Sequence, residues 1–179
     1  MRVVAGELRG RRLAAPAGRA TRPTADRVRE ALFSILGDIS GLRVLDLFAG
    51  SGALGIEALS RGASEAVFVD SSRRAVTAIE GNLKALALHA AVHRCDALAF
   101  LGGAVRGPGY DIAFVDPPYD SADRLAAPLA EGLPPILTHD ALIVTESDKR
   151  SPLLLPFPLV RERLYGDTRI ALHRPPGEG

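Results

Sequence analysis

Between residues 43 and 146 five short apolar runs alternate with amphipathic stretches of helical period, and this alternation restricts the chain to a mostly parallel sheet with helices on both faces. The runs at 43–48, 66–70, 91–94, 111–116 and 140–146 have the length of strands. The segments near 53–61, 72–87, 96–103 and 121–131 repeat Ala and Leu at helical spacing and supply the crossovers that parallel neighbours need. Two further runs, 159–164 and 169–173, are separated only by Tyr165-Gly166-Asp167-Thr168 and read as a terminal hairpin. The expected fold is α/β, a doubly wound, mostly parallel sheet of seven strands.

The first 29 residues differ in character. They carry Arg2, Arg9, Arg11, Arg12, Arg19, Arg22, Arg27 and Arg29 against Glu7 and Asp26, a local charge of +6, which leaves −5 for the rest of a chain whose net charge is +1. A basic arm on an acidic body suits a polyanion held by its phosphates, as well as a plain solvated tail. Residues 2–5 and 13–15 read as a small hairpin displaying Arg9, Arg11 and Arg12, followed by a linker containing Pro16, Gly18 and Pro23. Thr24 is placed to cap a helix over 25–36, which Gly37 ends. This divides the chain into a basic extension, 1–23, and a larger domain, 24–179.

A chain of 179 residues with 47% hydrophobic content suffices for one core. Its apolar stretches are too short for a membrane span, and charges interrupt any signal peptide, so a cytoplasmic monomer is expected. One cysteine, Cys95, and four histidines without ligand spacing give no disulfide framework and no metal site.

The run ending at Phe48 passes directly into Ala49-Gly50-Ser51-Gly52 and a helix. Gly50 and Gly52 let a ligand approach the main chain, although a glycine turn also joins strand to helix without one. Asp70, ending the next strand about twenty residues on, is placed for ribose hydroxyls. Asp46, just before the turn, sits poorly beside a pyrophosphate but suits a positive amino group. That favours S-adenosylmethionine, with its amino-acid end. Asp96 and Ala97, after the third strand, are placed for the adenine, Asp96 doubling as a helix cap. Phe48 and Ser51 complete the expected cofactor contacts.

The strand at 111–116 delivers Asp116-Pro117-Pro118-Tyr119 to the same sheet edge. The lone pair of a nucleobase amine is delocalised into its ring. Asp116 accepting one amine hydrogen and the Pro117 carbonyl accepting the other would draw that lone pair out, with Pro118 stiffening the turn and Tyr119 stacking on the base. The competing reading is a proline pair that merely stops a strand.

These residues resemble the RsmD-type bacterial methyltransferases, which modify guanine N2 of small-subunit (16S) ribosomal RNA. The resemblance runs from Arg2-Val3-Val4-Ala5-Gly6 and Arg9-Gly10-Arg11-Arg12 through Arg22-Pro23-Thr24-Ala25-Asp26-Arg27-Val28-Arg29-Glu30, the glycine loop and Asp116 to Tyr119, and closes on Tyr165-Gly166-Asp167-Thr168. It implies a Rossmann-like class I fold, S-adenosylmethionine converted to S-adenosylhomocysteine, and ribosomal RNA or its assembling particle as partner. It places cofactor roles on Asp46, Gly50, Gly52, Asp70 and Asp96, the amine role on Asp116 to Tyr119, and makes the Arg-Pro-Thr segment RNA-facing. The expected RNA contacts are Arg9, Arg11, Arg12, Arg22 and Arg27. One departure is Asp70, where many relatives carry Glu. Adenine N6 or cytosine N4 as target, or an RNA-binding module without catalysis, remain open alternatives; a nicotinamide dehydrogenase lacks a catalytic pair.

Overall fold

The computed structural model describes residues 1–16, 26–103, 107, 109–118 and 121–176. Along the chain lie α1 (Asp26–Leu36), β1 (Arg43–Leu47), α2 (Ala53–Ser60), β2 (Glu65–Val69), α3 (Arg73–Ala85), β3 (Ala91–His93) and α4 (Ala97–Gly103). There follow β4 (Tyr110–Val115), α5 (Ala122–Gly132), a 3-10 turn (Pro134–Ile136), β5 (Leu137–Asp148), β6 (Leu159–Tyr165) and β7 (Thr168–His173). The seven strands form one sheet in the order β3-β2-β1-β4-β5-β7-β6. Strands β1 to β5 run parallel, and β7 is antiparallel to both β5 and β6. The doubly wound, mostly parallel sheet is therefore present, with the terminal hairpin inserting its second strand beside β5.

Alternation along β1 shows why both faces need helices. Val44 joins one core with Phe68, Ile112, Phe114, Leu32, Phe33, Ile56 and Ile79, whereas Leu45 and Leu47 join another with Val67, Ala113, Val115, Leu101 and Leu129. Successive side chains point to opposite faces, so a strand buried on both reads as a continuous apolar run. Phe33 of α1 meets Phe114 of β4 with ring centroids 5.7 Å apart, an arrangement worth about 1 kcal/mol beyond its burial. Asp111 pins the start of β4, accepting from the Arg43 N–H at 2.8 Å and the Thr138 hydroxyl at 3.1 Å.

Three expectations are refined. The 140–146 strand extends to 137–148, because Leu137 already pairs with Tyr110 before a register shift. The N-terminal runs form no strands beyond one antiparallel bridge, Arg2 with Arg12, flanked by Val3 N–H to Arg11 C=O at 2.9 Å and Leu13 N–H to Met1 C=O at 3.1 Å. Runs of four and three residues carry too few cross-strand pairs for a ladder. The arm instead packs onto the domain: Val3 and Leu13 enter the first core. Finally, Arg29 adds nothing to the arm's external charge. It is fully buried against Glu57, also fully buried, at 3.4 Å, and bonds Asp26 at 3.0 Å and the Arg2 carbonyl.

Glu57 is the anchor of that arrangement. Its carboxylate accepts the N–H groups of Val4 at 2.7 Å and Ala5 at 2.9 Å, and pairs with Arg61 at 2.8 Å. Close approach there requires glycine at position 6, where φ is +80° and a Cβ would lie 1.7 Å from the Ser60 carbonyl oxygen.

Candidate active site

The order reverses between β1 and β4, and the carboxyl ends of parallel strands flanking such a switch point form the crevice where open sheets bind ligands. The turn leaving β1 fills one side. Phe48, Gly50 and Gly52 all have positive φ, 60°, 58° and 75°. A non-glycine residue there costs of order 1 kcal/mol and persists because its surroundings hold it. Ala49 N–H donates to Val69 C=O at 3.1 Å, Gly52 N–H to Ala49 C=O at 2.7 Å, and Gly50 N–H to Asp70 Oδ2 at 2.9 Å.

Asp70 thus has a structural duty that its ribose expectation omitted. Its other oxygen, Oδ1, accepts the Ser72 N–H at 2.8 Å. Each carboxylate oxygen accepts two bonds, so capacity for a pair of hydroxyls is left. Asp46 is 2% exposed, and its Oδ2 accepts the Gly55 N–H at 2.9 Å, capping the first turn of α2 from the neighbouring strand. Burial, opposed by that bond and assisted by the charge of Asp70, pushes its pKa from 3.8 to about 8. Gly55 has to be glycine for a packing reason: a Cβ would fall 2.3 Å from the Phe68 ring and 3.2 Å from Asp46 Oδ2. Asp96 is exposed and caps α4, Oδ1 accepting from Leu98 N–H at 2.9 Å and Ala99 N–H at 3.2 Å, while Ala97 is buried beneath it.

The other side of the crevice is the turn leaving β4. Asp116 keeps part of its surface at the rim, yet its carboxyl is pushed well above the ordinary range by burial, then by the neighbouring Glu146 and Asp46. Pro117 is buried and Pro118 exposed, the Pro118 carbonyl accepting from Ser121 N–H at 3.0 Å. The fold therefore brings Asp46, Asp70, the glycine loop, Asp96 and Asp116 to one edge. Arg9, Arg11, Arg12 and Arg27 are exposed. Arg11 also donates from Nη2 to the Ala85 carbonyl at 2.8 Å, so part of its guanidinium is committed to the fold. Arg22, Thr24 and Tyr119 lie outside the described residues.

Two inward-facing polar residues escaped the sequence reading. Glu146, 4% exposed, follows Thr145, which pairs with Val115, and so borders Asp116. Asn82, 3% exposed on α3, bonds the glycine loop. For Glu146 the available signal was a polar side chain inside an apolar strand, Val144-Thr145-Glu146, whereas Asn82 stands in Glu80-Gly81-Asn82-Leu83-Lys84, among polar neighbours that give no such signal. Among the described residues no group of three or more His, Cys, Asp or Glu side chains is arranged to hold a metal, and no helix is long and apolar enough to cross a membrane.

The model of the family described as conserved hypothetical protein 95 matches residues 1–174. The Bacillus subtilis protein YlbH is 41% identical over 99% of this chain and 100% of its own. Ribosomal RNA small subunit methyltransferase D of Escherichia coli K12 is 37% identical over 100% of this chain and 92% of its own, and that of Haemophilus influenzae 35% over 97% and 93%. Among solved structures, Thermus thermophilus TTHA0928 superposes with a TM-score of 0.84 at 34% identity, covering 97% of this chain and 99% of that one. Escherichia coli yhhF gives 0.82 at 36%, covering 99% of each. With the glycine loop and Asp116 at the carboxyl ends of the adjacent parallel strands β1 and β4 and the similarity running the length of the chain, this protein belongs to the conserved hypothetical protein 95 family, that of the RsmD-type methyltransferases.

Proposed function

We propose that this protein methylates the exocyclic N2 amine of a guanine in small-subunit ribosomal RNA, with S-adenosylmethionine as methyl donor. The observation that carries the reading is the juxtaposition of the Gly50–Gly52 turn with Asp116-Pro117-Pro118 at the two strand ends of one switch point, in a chain of this family. The cofactor fits the residues present. Asp46 is a carboxyl group held above its ordinary pKa by burial and by the neighbouring charge of Asp70. A cation offsets that cost, whereas a pyrophosphate adds to it.

When bound, S-adenosylmethionine supplies a methyl group on a positive sulfur, already activated for attack. The chain's own residues do the rest. Asp46 faces the positive amino group, Asp70 holds the ribose and Asp96 the adenine amine, with Phe48, Ser51 and Ala97 lining the same side. Asp116 accepts one hydrogen of the guanine amine and the Pro117 carbonyl the other. Pro118 restricts the turn, and Tyr119 offers a stacking face. Such acceptors aligned in advance act without reorganisation at the moment of reaction.

Residues 1–23 are the RNA-facing extension and 24–179 the transfer domain, with Arg9, Arg11, Arg12 and Arg22 of the extension and Arg27 of the domain meeting phosphates. The protein works as a cytoplasmic monomer on ribosomal RNA or its assembling particle. Labelled methyl transfer to immature small-subunit particles, naked ribosomal RNA and duplex DNA, followed by nucleoside analysis, tests this. N2-methylguanosine is expected in the RNA. Label in DNA alone, or on adenine or cytosine, overturns the target assignment.

A further inference from the structure

Asn82 faces inward from α3, and its amide is engaged by main-chain groups from two places remote in sequence. Its Oδ1 accepts the Ala14 N–H at 2.8 Å, and Nδ2 donates to the Ala14 carbonyl at 3.0 Å and to the Ser51 carbonyl at 2.9 Å. The two bonds to Ala14 are those a neighbouring strand would make, and they fasten the basic arm at that residue. The third lands in the glycine loop.

That third bond has a lever. The Ser51 carbonyl shares a peptide plane with the Gly52 N–H, which donates to the Ala49 carbonyl at 2.7 Å. The plane is held at both ends, and one end is Asn82. Ser51 Oγ also reaches Met1 Sδ at 3.8 Å, a second link between the same two segments. Glu57 and Ser60 bind residues 4–8 to α2. Among the described residues, Asn82 is the side chain that bonds both Ala14 and the loop. Burying an amide costs free energy unless its donors and acceptor are matched, so packing alone would favour an apolar residue here.

We propose that Asn82 is a positioning residue that couples the docked basic arm to the cofactor loop, so that an RNA held by the arm and a cofactor at the loop strengthen one another's binding. The proposal rests on the function proposed above. Coupling of this kind is reciprocal: whatever favours the docked arm favours the ordered loop to the same degree. Asn82→Asp preserves shape and the acceptor for Ala14 but turns a carboxylate oxygen toward two carbonyls. Ala14→Pro deletes the arm's donor and leaves the loop's own bond intact.

The test is calorimetric titration of S-adenosylhomocysteine into the full chain, with and without saturating unmethylated small-subunit ribosomal RNA transcript. For the unaltered protein, RNA should tighten the dissociation constant about fivefold or more. In Asn82→Asp and in Ala14→Pro that gain should fall below about twofold, although each variant still binds the RNA and the nucleoside separately. If Asn82→Asp does not fold, Ala14→Pro decides alone. Full coupling in a folded variant that binds both, or none in the unaltered protein although it binds both, overturns the coupling. Failure of the unaltered protein to bind either one overturns the proposed function, and the coupling with it.

Discussion

Asp46→Asn should make the protein without cofactor more stable while weakening its cofactor site. The Asp46 carboxyl is 2% exposed and its pKa is raised from 3.8 to about 8, chiefly by burial. A carboxyl raised on folding binds more protons in the native than in the unfolded state. Its contribution to stability is therefore neutral below the unfolded pKa, becomes progressively unfavourable between about pH 4 and pH 8, and is level above that. Each pH unit in that window is worth about 1.4 kcal/mol, so at pH 7 the deficit reaches about 4 kcal/mol as an upper bound. Asparagine removes the ionisation and keeps an oxygen for the Gly55 N–H, now bonded at 2.9 Å. Urea denaturation of both proteins from pH 4.5 to 8.5 should show the variant ahead by up to about 4 kcal/mol at pH 7, the gap closing toward pH 4.5. S-adenosylhomocysteine should bind about tenfold more weakly, the cost of losing one charged partner. A variant no more stable than its parent at pH 7, or a gap independent of pH, would refute the argument that burial sets the state of this group.

Asp116→Ala should lower kcat by about 10²–10³ while leaving S-adenosylhomocysteine affinity within a factor of about three, because it removes an acceptor for the target amine alone; single-turnover methylation and calorimetry separate the two. Replacing Arg9 and Arg12 together by Ala should weaken RNA binding and reduce the slope of log affinity against log salt by about 1.4–1.8, measured by filter binding. An unchanged slope would make the arm a tail. Glu57→Gln should destabilise by about 3 kcal/mol in urea, since it leaves the fully buried Arg29 guanidinium short of its counter-charge; a loss under about 1 kcal/mol would show that Asp26 suffices.

The alternation of strands and helices, the glycine turn, Asp70, Asp96 and the Asp116 segment could all be read along the chain, because period and turn chemistry are local. The strands at 43–48 and 111–116 match β1 and β4 to within a residue or so for that reason. The bulk of the arm's charge was legible too, but not how it is distributed. Arg29 counted toward +6 until the fold buried it against Glu57, twenty-eight positions away. Nothing between those two positions announces the pair.

The same division holds at the site itself. Residue type and order alone determined which groups arrive at the carboxyl edge of a parallel sheet, since a strand followed by glycines delivers its ligand-facing residues there in any doubly wound fold. Only the tertiary structure decided that β4 lies beside β1, so that Asp46 and Asp116 crowd one crevice with Glu146 of β5. It also placed β7 between β5 and β6, and it turned Asn82 into a bridge between Ala14 and Ser51. These features depend on contacts between residues far apart in the chain. Such contacts are selected by the packing of the whole, and desolvation, which sets the protonation of Asp46, does not exist until that packing is complete.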